Sequence, residues 1–91
     1  MMLGRGYLRL LRDGHGLNLQ GAAFRCLLSD NRWDRLERGD TTRDITAEEL
    51  KRIATGMDED YVRLVQMELK FLRQDGERQI MEALHDKAMD G

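Results

Sequence analysis

The chain has 91 residues, fifteen Lys/Arg against seventeen Asp/Glu for a formal net charge of −2, no proline and a single cysteine. So short a chain buries only about 60% of its unfolded surface, which argues against a deep substrate cavity and makes a second copy or a partner helix a natural source of stability. Cys26 cannot close an internal disulfide and no Cys/His spacing matches a zinc site, so a disulfide scaffold and a zinc fold are both excluded, and a reducing cytoplasm is the expected compartment.

Leu, Met, Ala, Arg and Glu dominate, and runs rich in Val, Ile and Thr are missing, so the expected class is all-α. Leu8 and Leu11, with Leu3 and Tyr7, lie at helical spacing, while Arg5, Arg9 and Arg12 take the other flank. The same arginines interrupt the apolar stretch from Met1 to Leu11, which is expected to be neither a membrane span nor a secretory leader. Gly14 and Gly16 end this first helix. Asn18 is a good N-cap for a second, short helix whose small residues Ala22, Ala23 and Cys26 let another helix approach closely. Ser29 caps a third helix from Asp30 to about Arg38, which buries Trp33 and Leu36 and stops at Gly39.

A polar loop, Asp40 to Asp44, leads to Thr46 and Glu49, the spacing of a capping box. The fourth helix then turns Leu50, Ile53, Ala54 and Met57 inward. Asp58 is the expected cap of a fifth, with Tyr61, Leu64, Val65, Leu69 and Leu72 as its apolar positions. Asp75-Gly76 predicts a break before a last amphipathic segment containing Ile80, Met81, Ala83, Leu84 and Ala88. Two regions follow: a core over 1–57 and a C-terminal helical extension over 58–91.

From Leu8 to Gly39 these features keep one ungapped register. Leu8-Arg9 with Arg12, Gly16-Leu17-Asn18, Ala22-Ala23, Leu28-Ser29 and Leu36-Glu37-Arg38-Gly39 together resemble the Cro/phage-repressor type of helix-turn-helix domain, also called xenobiotic-response-element-like. The resemblance covers about residues 3–57. It implies a five-helix repressor-like fold whose third helix enters the major groove of DNA. It puts the base-reading positions on Asp30, Asn31 and Arg35, with Arg32 on the flank. Chemically that set is usable: Arg35 can bond guanine twice, Asn31 can read adenine, and Asp30 can accept from cytosine. The resemblance also places backbone phosphate against Gln20, Arg38, Thr41, Thr42 and Arg43, and pairs Arg12 with Glu37 as a structural ion pair.

Charge is unevenly distributed in a way that fits this. Residues 1–43 carry eight arginines against five acids, whereas residues 44–91 carry seven basic residues against twelve acids. One basic half joined to an acidic one suits a protein that meets a polyanion on a single face. The expected function is therefore a sequence-specific transcriptional regulator, most simply a repressor, binding a palindromic operator as a homodimer through Leu64, Val65, Leu69 and Leu72. The competing expectation keeps the fold and makes it a protein-binding module, an antitoxin or inhibitor, whose acidic C-terminal helices grip a basic partner. Asp30 and Asp34, acids on the presumed DNA-facing helix, favour that second class. No nucleophile–base pair, paired-carboxylate signature or phosphate-cradling glycine loop stands out, so no catalysis, cofactor or metal is expected.

Overall fold

Among the described residues five helices follow one another in the order α1 Gly6–Gly14, α2 Leu19–Arg25, α3 Asp30–Arg38, α4 Ala47–Gly56 and α5 Tyr61–Asp90. This is a computed structural model, and it describes residues 4–40 and 45–90, with side chains through residue 84. The all-α class holds, with no strand among the described residues. Nor is any described helix long and apolar enough to cross a membrane.

The helix ends are set by the polar residues that the sequence puts there. Asn18 accepts from Gly21 N–H at 2.8 Å, and Ser29 accepts from Arg32 N–H at 3.1 Å. Thr46 and Glu49 close a reciprocal capping box, with bonds of 3.0 and 2.9 Å. Each such cap satisfies a donor that the helix leaves open and contributes about 1 kcal/mol. Gly39 ends α3 at φ 90°, a left-handed conformation that a side chain would strain, and Asp40 N–H then reaches Arg35 O at 3.0 Å.

Helices α2 and α3, of seven and nine residues, are too short to persist alone and depend on packing. Trp33 and Leu36 of α3 are fully buried against Leu8, Ala22, Ala23, Cys26, Ile53 and Met57. The small residues of α2 admit α4 so closely that a Cβ on Gly56 would lie 2.6 Å from Arg25 O. Between α2 and α3 the chain turns through Leu27 at φ 56°, and its side chain points into solvent.

Four expectations for the C-terminal third are corrected. Asp58 does not cap the fifth helix: it sits at φ 51° in the turn that closes α4, and α5 begins at Tyr61. Asp75-Gly76 is no break, because α5 runs unbroken from Tyr61 to Asp90. Leu64 is fully buried in the chain's own core, which removes it from any interface between copies. The core-facing line of α5 then continues through Glu68, Phe71 and Asp75, so Leu69 and Leu72 do not share a face with Leu64 but stand outward, where an interface residue can stand, with Val65 half-buried between the two. The rotation has a physical cause in the buried Arg5, which pairs with Glu68. Thirty residues span about 45 Å of helix, nearly the full 50 Å length of a molecule only 24 by 22 Å across, so the end of α5 projects beyond the core.

Candidate nucleic-acid interface

The candidate site is the outer face of α3. Burial of Trp33 and Leu36 fixes which way the helix faces, and Trp33 Nε1 donates to Glu37 Oε2 at 2.7 Å, so the indole's one polar atom is satisfied. Asp30, Asn31 and Arg35 consequently stand exposed along one side, starting from the first turn. Arg35 makes no ion pair among the described residues, and its fork projects from the middle of the helix. Asp30 lies at the N-terminal end, where the helix dipole favours a carboxylate.

Three arginines hold this helix in place. Arg12 on α1 meets Glu37 two-pronged, Nε to Oε2 at 3.0 Å and Nη2 to Oε1 at 2.7 Å, and also donates to Leu17 O. Burial pushes the Glu37 carboxyl up, but the hydrogen bonds from Arg12 and Trp33 outweigh it and hold the group below the ordinary carboxylate value. The same bond to Glu37 raises the Arg12 guanidinium, which stays charged.

On the opposite end of α3, Arg32 grips Glu49 of α4 through Nε–Oε2 at 2.7 Å and Nη2–Oε1 at 3.0 Å. Hydrogen bonding from Arg32 is the main reason that the Glu49 carboxyl lies at about 2, helped by Thr46 and opposed by partial burial. Arg32 is thus committed to a strut between α3 and α4, which corrects its placement among base-reading residues. Glu49 does two jobs: the same carboxylate that caps α4 anchors the helix carrying Asn31 and Arg35.

The third arginine was not legible as a site residue. Arg5 is 1% exposed, and its Nε and Nη2 meet both oxygens of Glu68, itself 4% exposed, at 2.7 and 3.0 Å. Its Nη1 donates to Leu36 O and Asp40 O, the carbonyls around the end of α3, at 2.9 and 3.2 Å. Its guanidinium lies 4.4 Å from the ring centre of Phe71, and Tyr7 OH donates to Glu68 Oε1 at 2.6 Å. Burial, reinforced by the bond to the Glu68 carboxylate, pushes the Tyr7 phenol well up, so it remains a donor. A sequence signal existed: Glu68 is an acid between Leu64 and Phe71 at helical spacing, and such an acid needs a buried cation.

Two of the five expected phosphate contacts, Gln20 and Arg38, lie among the described residues. Gln20 is exposed on the first turn of α2, and Arg38 is exposed at the end of α3, 3.1 Å from Asp34 one turn earlier. Thr41, Thr42 and Arg43 lie outside the described residues. Asp34 therefore shares its charge with Arg38, whereas Asp30 has no ion-pair partner among the described residues. Cys26 is buried and burial pushes its thiol up to about 11, far from a reactive thiolate. Among the described residues no three His, Cys, Asp or Glu side chains group as a metal site would require. The chain matches no protein-family model, no curated protein and no solved structure.

Proposed function

We propose that this chain is a sequence-specific DNA-binding regulator of the Cro/phage-repressor helix-turn-helix type, a cytoplasmic repressor that binds a palindromic operator as a dimer. One observation carries the reading: α3 presents Asn31 and Arg35 to solvent from a helix immobilised by three arginine–carboxylate or arginine–carbonyl anchorages. Readout of a base edge needs its side chains on a rigid support, and a nine-residue helix supplies none by itself. In this reading Arg35 bonds guanine through two hydrogens and Asn31 reads adenine. Asp30 accepts from cytosine, while Gln20, Arg38 and the 41–43 segment hold the backbone.

The acids on α3 favour the second reading, a protein-binding module, only where no arginine offsets them. Asp34 is offset by Arg38, and that leaves Asp30 alone. The test is selection from a pool of random duplexes at two salt concentrations, with Arg35→Ala alongside. Enrichment of a palindrome that weakens steeply with salt and disappears in the variant is the expected result. Binding that is absent, or insensitive to salt, would overturn the DNA reading and favour a basic protein partner.

A further inference from the structure

We propose that α5 pairs with α5 of a second copy in antiparallel orientation, with Gly76 at the two-fold axis. Successive residues of a helix are turned by about 100°. On that basis Val62, Val65, Leu69, Leu72, Gly76, Ile80 and Leu84 fall within about 60° of one line. The core-facing line of Leu64, Glu68, Phe71 and Asp75 lies roughly 130° away. Helix α5 thus carries a second apolar stripe, of which its own core uses Val65. Val62, Leu69, Leu72, Ile80 and Leu84 on it are between 41% and 61% exposed. Together they leave on the order of 500 Å² of apolar surface per copy, at the top of what a monomer exposes in one patch and more than half of the ~800 Å² per partner of a stable interface.

Three features specify the occupant as the same stripe reversed. First, the stripe reverses onto itself about Gly76: an antiparallel partner sets Leu72 against Ile80, brings Leu84 to within one residue of register with Leu69, and puts the two glycines face to face. A Cβ at Gly76 would meet nothing within 4 Å, so the centre is open for a close crossing. Second, the two halves are unlike. The first half of the stripe borders a groove of about 320 Å³ lined by Ile45, Leu50, Val65, Leu69 and Leu72 with the Arg5–Glu68 pair, while the second half projects past the core with Ile80 and Leu84 uncovered. Reversal lays each projecting half along the other copy's groove, whereas a parallel pair would leave both grooves unfilled. Third, Arg73 and Glu77 share one flank of the stripe, one turn apart and 3.2 Å from each other. In an antiparallel pair that flank meets itself, so Arg73 of each copy faces Glu77 of the other.

The pairing deepens the dimeric part of the function proposed above and rests on that reading for its purpose, but it needs no DNA to form. The test is therefore made without DNA, on the full chain. Light scattering is expected to give twice the monomer mass of 10.6 kDa, and Ile80→Glu is expected to return it to monomer with its far-UV spectrum kept, since Ile80 lies outside the core. Met81→Glu, equally exposed but about 100° off the stripe, should stay dimeric. Under mild oxidation a mixture of Leu72→Cys and Ile80→Cys chains is expected to cross-link as the heterodimer, and Leu69→Cys alone should not. A monomeric wild-type chain at high concentration, or self-cross-linking of Leu69→Cys, would overturn the pairing. A monomer that still selects an operator would do so while leaving the DNA reading intact.

Discussion

Gly56 and Gly76 are both helical, and exchanging each for alanine should move stability in opposite directions. In an ordinary helix interior, Gly→Ala gains about 1 kcal/mol of propensity. At Gly56 the added Cβ would lie 2.6 Å from Arg25 O, 2.8 Å from Cys26 Sγ and 3.0 Å from the Arg25 carbonyl carbon. Two of those three atoms belong to the backbone, so no rotamer change relieves the contact. To restore an ordinary separation of about 3.5 Å, α2 and α4 must part by close to 1 Å. That loosens Ala22, Ala23 and Cys26 against Ile53, where overpacking costs about 1–3 kcal/mol. Gly56 is the last residue of α4, where little of that propensity gain applies, so Gly56→Ala should lose about 1–2 kcal/mol and lower Tm by about 5–10 °C for a domain of this size. At Gly76 nothing of the same chain lies within 4 Å, so in the monomeric Ile80→Glu background, where no second copy crosses there, Gly76→Ala should raise the far-UV ellipticity and not lower Tm. Thermal melts followed by circular dichroism measure both. A Gly56→Ala protein melting at or above wild type would refute the close approach of α2 and α4 on which the packing of the α2–α3 unit rests.

Leu27 pays about 1–2 kcal/mol for its left-handed φ of 56°, and its exposed side chain returns little. After the extra entropy of an unfolded glycine, Leu27→Gly should raise Tm by a few degrees. A fall would mean that the leucine packs on something essential. Glu68→Gln leaves Arg5 buried without its counter-charge and should cost about 3–5 kcal/mol in urea unfolding, much of which Arg5→Met combined with Glu68→Leu should recover. If the double variant is no better than the single one, the charges themselves are needed. For Glu49 the folded value of about 2 lies below the ordinary 4.5, so its contribution is complete above about pH 4.5 and is lost as pH falls toward 2. Glu49→Gln should remove about 2 kcal/mol at pH 7 and flatten the pH dependence of stability in that acid window; an unchanged slope would show that Arg32 does not hold it.

The sequence was most readable where chemistry is local. Caps at Asn18, Ser29 and Thr46, and the stop at Gly39, depend on neighbours within four residues, and each lies where the side-chain inventory demands. The inward faces of α3 and α4 were readable for a related reason: each offers only one apolar stripe. Helix α5 offers two, and periodicity cannot choose between them. The choice is made by Arg5, sixty-three residues earlier, whose guanidinium pulls Glu68 and Phe71 inward and turns Leu69 and Leu72 out. Arg32 was misplaced through the same blindness to distance. Its position on α3 says only that it is near the outer face, and Glu49 on another helix decides where its charge goes.

That reassignment changes what the arginine-rich half means. Of its eight arginines, Arg5, Arg12 and Arg32 are bound into carboxylates that hold α3, and their charge is neutralised where it stands. Arg38 and Arg9 share exposed acids one turn away, at 3.1 and 3.8 Å. Such pairs are worth little and exchange readily for phosphate, but the uncommitted charge on α2 and α3 reduces to Arg25 and Arg35 among the described residues. In the proposed role a single copy would therefore bring about three to five cations to a duplex, Arg43 included. At a salt slope of about 0.9 per phosphate neutralised, that supports only weak binding at physiological ionic strength. Joining two copies through α5 doubles the contacts and makes the second engagement intramolecular, which multiplies the affinity instead of adding to it. In the proposed DNA-binding role, a helix anchored at the expense of its own positive charge would gain most from the second copy proposed to pair through α5. Comparing the salt slope of the wild type with that of Ile80→Glu measures this directly. The slope should fall by about half in the variant, and equal slopes would show that each copy binds alone.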